Sequence, residues 1–94
     1  MADLIPKSEL EKRIKKIPEW DLEDTTVNRV VEFESFPEAI DFVNDVSEIA
    51  EEAQHHPDID IRYTRITLSL TTHEKGGLTD LDFEIASRID TLID

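Results

Sequence analysis

Three stretches of this chain open with a hydroxyl residue followed three positions later by an acid: Ser8…Glu11, Ser35…Glu38 and Thr79…Asp82. Each then runs on into apolar residues at helical spacing. The hydroxyl can cap the free N–H groups of a first helical turn while the acid reaches back to the cap's own N–H. Three helices are predicted. The first carries Leu10, Ile14 and Ile17 and stops before Pro18. The second carries Phe36, Ala39, Ile40, Val43, Val46, Ile49, Ala50 and Ala53 and ends before Pro57, which disfavours helical geometry at its predecessor. The third carries Leu81, Ile85, Ile89 and Leu92.

The segments between them read as strands. Trp20 to Asp24 is short and leads past Thr25-Thr26 into Val27 to Glu34, which mixes β-branched and aromatic residues. After Pro57, Ile59, Ile61 and Tyr63 alternate with Asp60, Arg62 and Thr64, and then the apolar phase flips to Ile66, Leu68 and Leu70. A side-chain period of two does not survive that shift in one regular strand. A bulge or break is therefore expected at Thr64-Arg65, giving two strand segments or one long bent strand. No Gly, Pro or Asn marks a tight hairpin there. Gly76-Gly77 makes the turn into the last helix. The order α-β-β-α-β-β-α predicts an α+β fold in two layers, with three helices on one face of a four-stranded, mainly antiparallel sheet. With 94 residues, one domain spanning 1–94 is expected. The uncovered faces make self-association an expectation as well.

Composition removes several functions. The chain has no cysteine, which excludes a disulfide scaffold, a thiol nucleophile, a zinc finger and an iron–sulfur site. No apolar run approaches the roughly 18–20 residues of a membrane span. The opening residues, Met1 to Lys7, lack a basic region followed by an apolar one, so the expected address is cytoplasmic. Twenty-three acidic against ten basic residues give a formal charge of −13, which repels a phosphate backbone. The best basic run, Lys12-Arg13 with Lys15-Lys16, is interrupted by Ile14 and preceded by Glu9 and Glu11. Neither direct nucleic-acid contact nor membrane contact is expected.

All three histidines lie in the second half of the chain: His55, His56 and His73. The first two follow the second helix in the run Glu51-Glu52-Ala53-Gln54-His55-His56-Pro57. Glu51 and Glu52 stand four residues before His55 and His56, so each acid is expected to face an imidazole one turn away. A nearby carboxylate and the carbonyl end of the helix both favour a proton on such a ring. An imidazole so poised can give a proton to a leaving hydroxyl and take one back. His73 follows the last strand, just before Glu74-Lys75-Gly76-Gly77. Plainer readings stand beside this one. A histidine pair at a helix end can be a solvated cap. Three histidines and a carboxylate can hold zinc, although adjacent histidines lack the i, i+4 spacing of helical ligands. Asp82 is explained as the acid of the Thr79 cap, Glu51 as a surface ion-pair partner, and Trp20 and Tyr63 as core or interface aromatics.

The run from Glu51 to Asp82 resembles the signature of the pterin-4a-carbinolamine dehydratases. That signature is an acid, three residues, His-His-Pro, five residues, an aromatic, nine residues, a His, and then an Asp. Glu51, His55-His56-Pro57, Tyr63, His73 and Asp82 meet each fixed position. Trp20, the Arg29-to-Phe33 strand, Phe36-Pro37-Glu38-Ala39, Thr72-His73-Glu74 and Gly77-Leu78-Thr79 extend the likeness over nearly the whole chain. The resemblance implies a lyase with neither metal nor organic cofactor, converting 4a-hydroxytetrahydrobiopterin to quinonoid dihydropterin and water in tetrahydrobiopterin recycling. It casts His55 and His73 as acid/base groups and Glu51 as the carboxylate that orients and polarises His55. His56, Gln54, Pro57, Thr71, Thr72 and Glu74 fall to substrate binding, and Asp82 to support of His73 or of the last helix's start. Homodimers or homotetramers are expected by the same resemblance. Some relatives also act as dimerisation cofactors of homeodomain activators, while the acidic surface disfavours direct DNA contact. Ile59 departs from the pattern by standing where some relatives carry a Trp beside the pterin. The alternatives are a non-catalytic dimerisation module and a related dehydratase acting on another pterin, such as one on a molybdopterin or folate route.

Overall fold

The computed structural model describes residues 3–93. In chain order the elements are α1 (Lys7–Ile14), β1 (Asp21–Glu23), β2 (Thr26–Glu32), α2 (Phe36–Ala53), β3 (Asp58–Arg62), β4 (Arg65–Leu70), a single 3₁₀ turn (His73–Lys75) and α3 (Asp80–Asp90). The strands form one antiparallel sheet in the order β1-β2-β4-β3. This is the two-layer α+β architecture that the element order predicts.

Local chemistry explains the helix starts, with one correction. Ser35 caps α2, its Oγ accepting from the Glu38 N–H at 3.3 Å. At α3 the Asp82 carboxylate accepts from the Thr79 N–H at 2.9 Å. Ser8, by contrast, caps nothing. α1 begins two residues earlier than a Ser8 cap would place it, behind Pro6, and has no side-chain cap. Proline fixes the φ of the residue entering the helix, which suffices to start it. α1 also ends at Ile14, so Ile17 reaches the core from a turn.

The sheet is buried on one face. Val27, Arg29 and Val31 of β2 and Ile66, Leu68 and Leu70 of β4 share that face and are all buried. Ala39, Phe42, Val46 and Ala50 of α2 and Phe83, Ile85, Ala86 and Ile89 of α3 supply the opposing layer of the core. The phase flip at Thr64-Arg65 is a chain reversal: a two-residue turn, Tyr63-Thr64, joins β3 to β4. Across such a turn Ile61 opposes Ile66 and Ile59 opposes Leu68, so odd residues on one strand share a face with even residues on the next. Tyr63 makes the reversal without glycine, at φ +55°, with its ring stacked on Phe36 at a 6.4 Å centroid distance. Every residue of β3 is exposed. Among the described residues no helix is long and apolar enough to cross a membrane.

Candidate active site

The end of α2 decides where the two adjacent histidines go. Pro57 cannot continue the helix, and Gln54 takes the left-handed conformation at φ 53°. Its N–H still bonds back to Ala50 and Glu51, and the His55 N–H reaches the Ala50 carbonyl at 3.1 Å. This turn splits the pair. His55 is directed inward and only 8% exposed, while His56 stays at the surface.

The left-handed residue also shifts the acid–imidazole register. Glu51 bonds His56, Oε2 to Nε2 at 2.5 Å, and not His55 as helical spacing predicts. Glu52 bonds Arg88 at 2.7 Å. The carboxylate behind His55 is Asp82, whose Oδ1 lies 2.5 Å from the ring Nε2. Asp82 is fully buried, and its Oδ2 accepts from the Thr72 hydroxyl at 2.8 Å and from the Thr79 N–H at 2.9 Å. One side chain therefore caps α3, holds His55 and anchors the segment leading to His73. Of the two expected roles of Asp82, the one at the start of α3 is what the structure shows; it also reaches His55 and Thr72, and no hydrogen bond joins it to His73.

A cleft of about 200 Å³ opens in front of these groups, lined by Gln54, His55, His56, Thr71, His73 and Glu74. His73 arrives from the 3₁₀ turn after β4, a loop closed by hydrogen bonds between Thr72 and Gly77 and by Gly76 at φ 72°. Imidazoles from two distant stretches thus share one concavity. Of the other residues singled out in the sequence, Thr71 lines the cleft while its hydroxyl donates to the Thr25 carbonyl at 2.6 Å. Thr72 is buried behind the cleft, with its side chain engaged by Asp82 and Thr79, so its hydroxyl is not a substrate-facing group. Glu51 and Pro57 lie outside the lining. Ile59 sits on the edge strand, 36% exposed, also outside it. Thr79 is the participant sequence reasoning missed. Its role as a helix cap was legible; its hydroxyl contact with Thr72 at 2.9 Å was not. Larger concavities lie elsewhere, including one of about 620 Å³ beside Arg13, Phe83 and Arg88 that holds no histidine. Among the described residues no group of three or more His, Asp or Glu side chains is gathered closely enough to hold a metal ion.

Residues 3–92 match the pterin 4 alpha carbinolamine dehydratase family. The chain belongs to that family. A curated relative from Acidobacterium capsulatum that carries the pterin-4-alpha-carbinolamine dehydratase name is 52% identical over 99% of this chain and the whole of its own length. One from Picosynechococcus, similarly named, is 46% identical over 98% of this chain and all of its own. Among solved structures, a transcriptional coactivator/pterin dehydratase from Brucella melitensis superposes with a TM-score of 0.93 at 26% identity, covering 98% of this chain and 100% of that one. A pterin dehydratase-like protein described as a RuBisCO assembly factor of the alpha-carboxysome shares the fold at a TM-score of 0.64 and 20% identity, over 78% and 84% of the two chains. As a dehydratase-family chain, this protein carries its histidine cleft on a fold that other chains present under different functional descriptions.

Proposed function

We propose that this protein dehydrates a 4a-hydroxytetrahydropterin, taken by resemblance to be 4a-hydroxytetrahydrobiopterin, to the quinonoid dihydropterin and water. The convergence of His55 and His73 on one small cleft carries the reading. The reaction breaks the bond from C4a to the hydroxyl oxygen and removes a proton from a ring nitrogen. It thus needs an acid at the departing oxygen and a base at the ring. His55 and His73, both in the cleft lining, supply the two groups. One proton is given and one taken, so the enzyme's total proton count is unchanged, and exchange with solvent then returns each imidazole to its starting form. His56, steadied by Glu51, and the Gln54, Thr71 and Glu74 side of the cleft bind and orient the ring. About 200 Å³ is small beside the roughly 300–1,000 Å³ of drug-sized sites and suits one compact ring system.

The purified protein should accelerate dehydration of synthetic 4a-hydroxytetrahydropterin. His55→Ala combined with His73→Ala should lower the rate by about 10²-fold or more, with circular dichroism confirming the fold. An unchanged rate in the folded double variant would refute the acid/base assignment. The second reading, a protein-binding module, is favoured by the exposed apolar edge formed by Ile59, Ile61 and Tyr63 with Phe36. An inert wild-type protein that forms a stable complex with a partner protein would select it. We also infer that this β3 edge carries self-association in the dehydratase: its backbone groups are unpaired on the outer side and its side chains offer apolar area.

A further inference from the structure

A hydroxyl has one proton to give, a backbone amide can only donate, and a carboxylate can only accept. These rules orient every proton in the buried cluster behind the cleft. Asp82 sits in the first turn of α3, where the free N–H groups and the helix dipole hold an anion. Its Oδ2 receives the Thr79 N–H at 2.9 Å and the Thr72 O–H at 2.8 Å. With the Thr72 proton committed, the 2.9 Å contact between the two threonine hydroxyls runs from Thr79 to Thr72. Only Oδ1 remains for His55, so the ring nitrogen 2.5 Å away, Nε2, is the donor.

We propose that Asp82 fixes His55 in the tautomer protonated on Nε2, that Nδ1 is the nitrogen offered to substrate, and that Thr72 is a positioning residue for this arrangement. In the neutral ring Nδ1 is then a bare acceptor, which gives His55 the part of base at the pterin ring nitrogen and leaves the acid's part at the hydroxyl to His73. Thr72 couples the two histidines. Its side chain orients the Asp82 carboxylate, while its main chain bonds Gly77 at 2.9 Å and accepts the Lys75 N–H at 3.0 Å, closing the loop that presents His73. The division of labour rests on the dehydratase reading; the tautomer does not.

Two-bond ¹H–¹⁵N correlation spectra of the free protein read the tautomer directly. His55 should show a protonated Nε2 and an unprotonated Nδ1. In Asp82→Asn the amide oxygen takes the place of Oδ2 and the amide NH₂ that of Oδ1, so it donates to Nε2 and drives the proton to Nδ1. The spectrum should invert and kcat should fall by about 10²–10⁴-fold with KM changed far less. Thr72→Val should lower kcat about tenfold and give a mixed His55 spectrum, and Thr72→Ser should restore both. A wild-type His55 protonated on Nδ1 overturns the proposal, whether or not Asp82→Asn folds. So does a folded Thr72→Val with wild-type kcat and spectrum. Loss of the wild-type reaction itself, with the tautomer as stated, would strike the proposed activity and not this assignment.

Discussion

Asp90 ends α3 with a negative charge, where the carbonyl dipole of the helix disfavours one. Two donors compensate. Trp20 Nε1 bonds its Oδ1 at 2.8 Å, and the Arg29 guanidinium pairs with the same oxygen. Arg29 points into the buried face of the sheet with 9% of its side chain exposed, so it depends on this partner. Asp90→Ala should cost about 2–4 kcal/mol, because it strands a buried cation and an indole N–H. Thermal unfolding should show a drop of roughly 10 °C or more, from about 4–8 °C per kcal/mol in a domain this size. A shift under about 3 °C would mean that Arg29 finds water or another partner. The same logic at Asp82 explains why no motif search could rank its tasks: a capping acid is visible in sequence, but the imidazole it meets comes from 27 residues away.

At the scale of elements, termini and turns decide the site. α2 was legible from its cap and its apolar spacing, yet the pairing of Glu51 with His56 was not. A helix-based register fails once Gln54 adopts positive φ. That conformation costs a non-glycine residue about 1 kcal/mol. Gln54→Gly should therefore raise the melting temperature by a few degrees. Because Gln54 also lines the cleft, KM in the proposed dehydration should rise in the same variant. A melting temperature that falls would show that the side chain, and not the backbone, holds this turn. The β3–β4 reversal has the same origin. Tyr63 and Thr64 lack the Asn-Gly signal of a two-residue hairpin, so the change of apolar phase marked only a bulge or break there and not the reversal itself.

The whole molecule leaves one long edge open and carries a large negative charge. β3 is exposed along its length, and its apolar residues lie on the sheet face that the helices cover elsewhere. Ile61→Lys should break association through this edge, shifting sedimentation velocity toward a slower species without loss of fold. No shift would place the interface elsewhere. A formal charge of −13 on 94 residues stores self-repulsion in the folded state. Raising sodium chloride from about 10 mM to about 500 mM shortens the screening length severalfold. The melting temperature should rise accordingly, and a flat response would mean that the carboxylates are already balanced by local pairs.

Residue order alone determined the elements, because capping, apolar period and proline act within a few positions of one another. It also singled out His55 and His73 as candidates for the chemistry, through a resemblance met at every fixed position from Glu51 to Asp82. Only the tertiary structure decided which carboxylate serves which imidazole. The left-handed turn at Gln54 carries His55 inward and His56 outward, and the packing of α3 beside α2 brings Asp82 to the inward ring. Such pairings depend on distances between segments far apart in the chain, and no local rule encodes them.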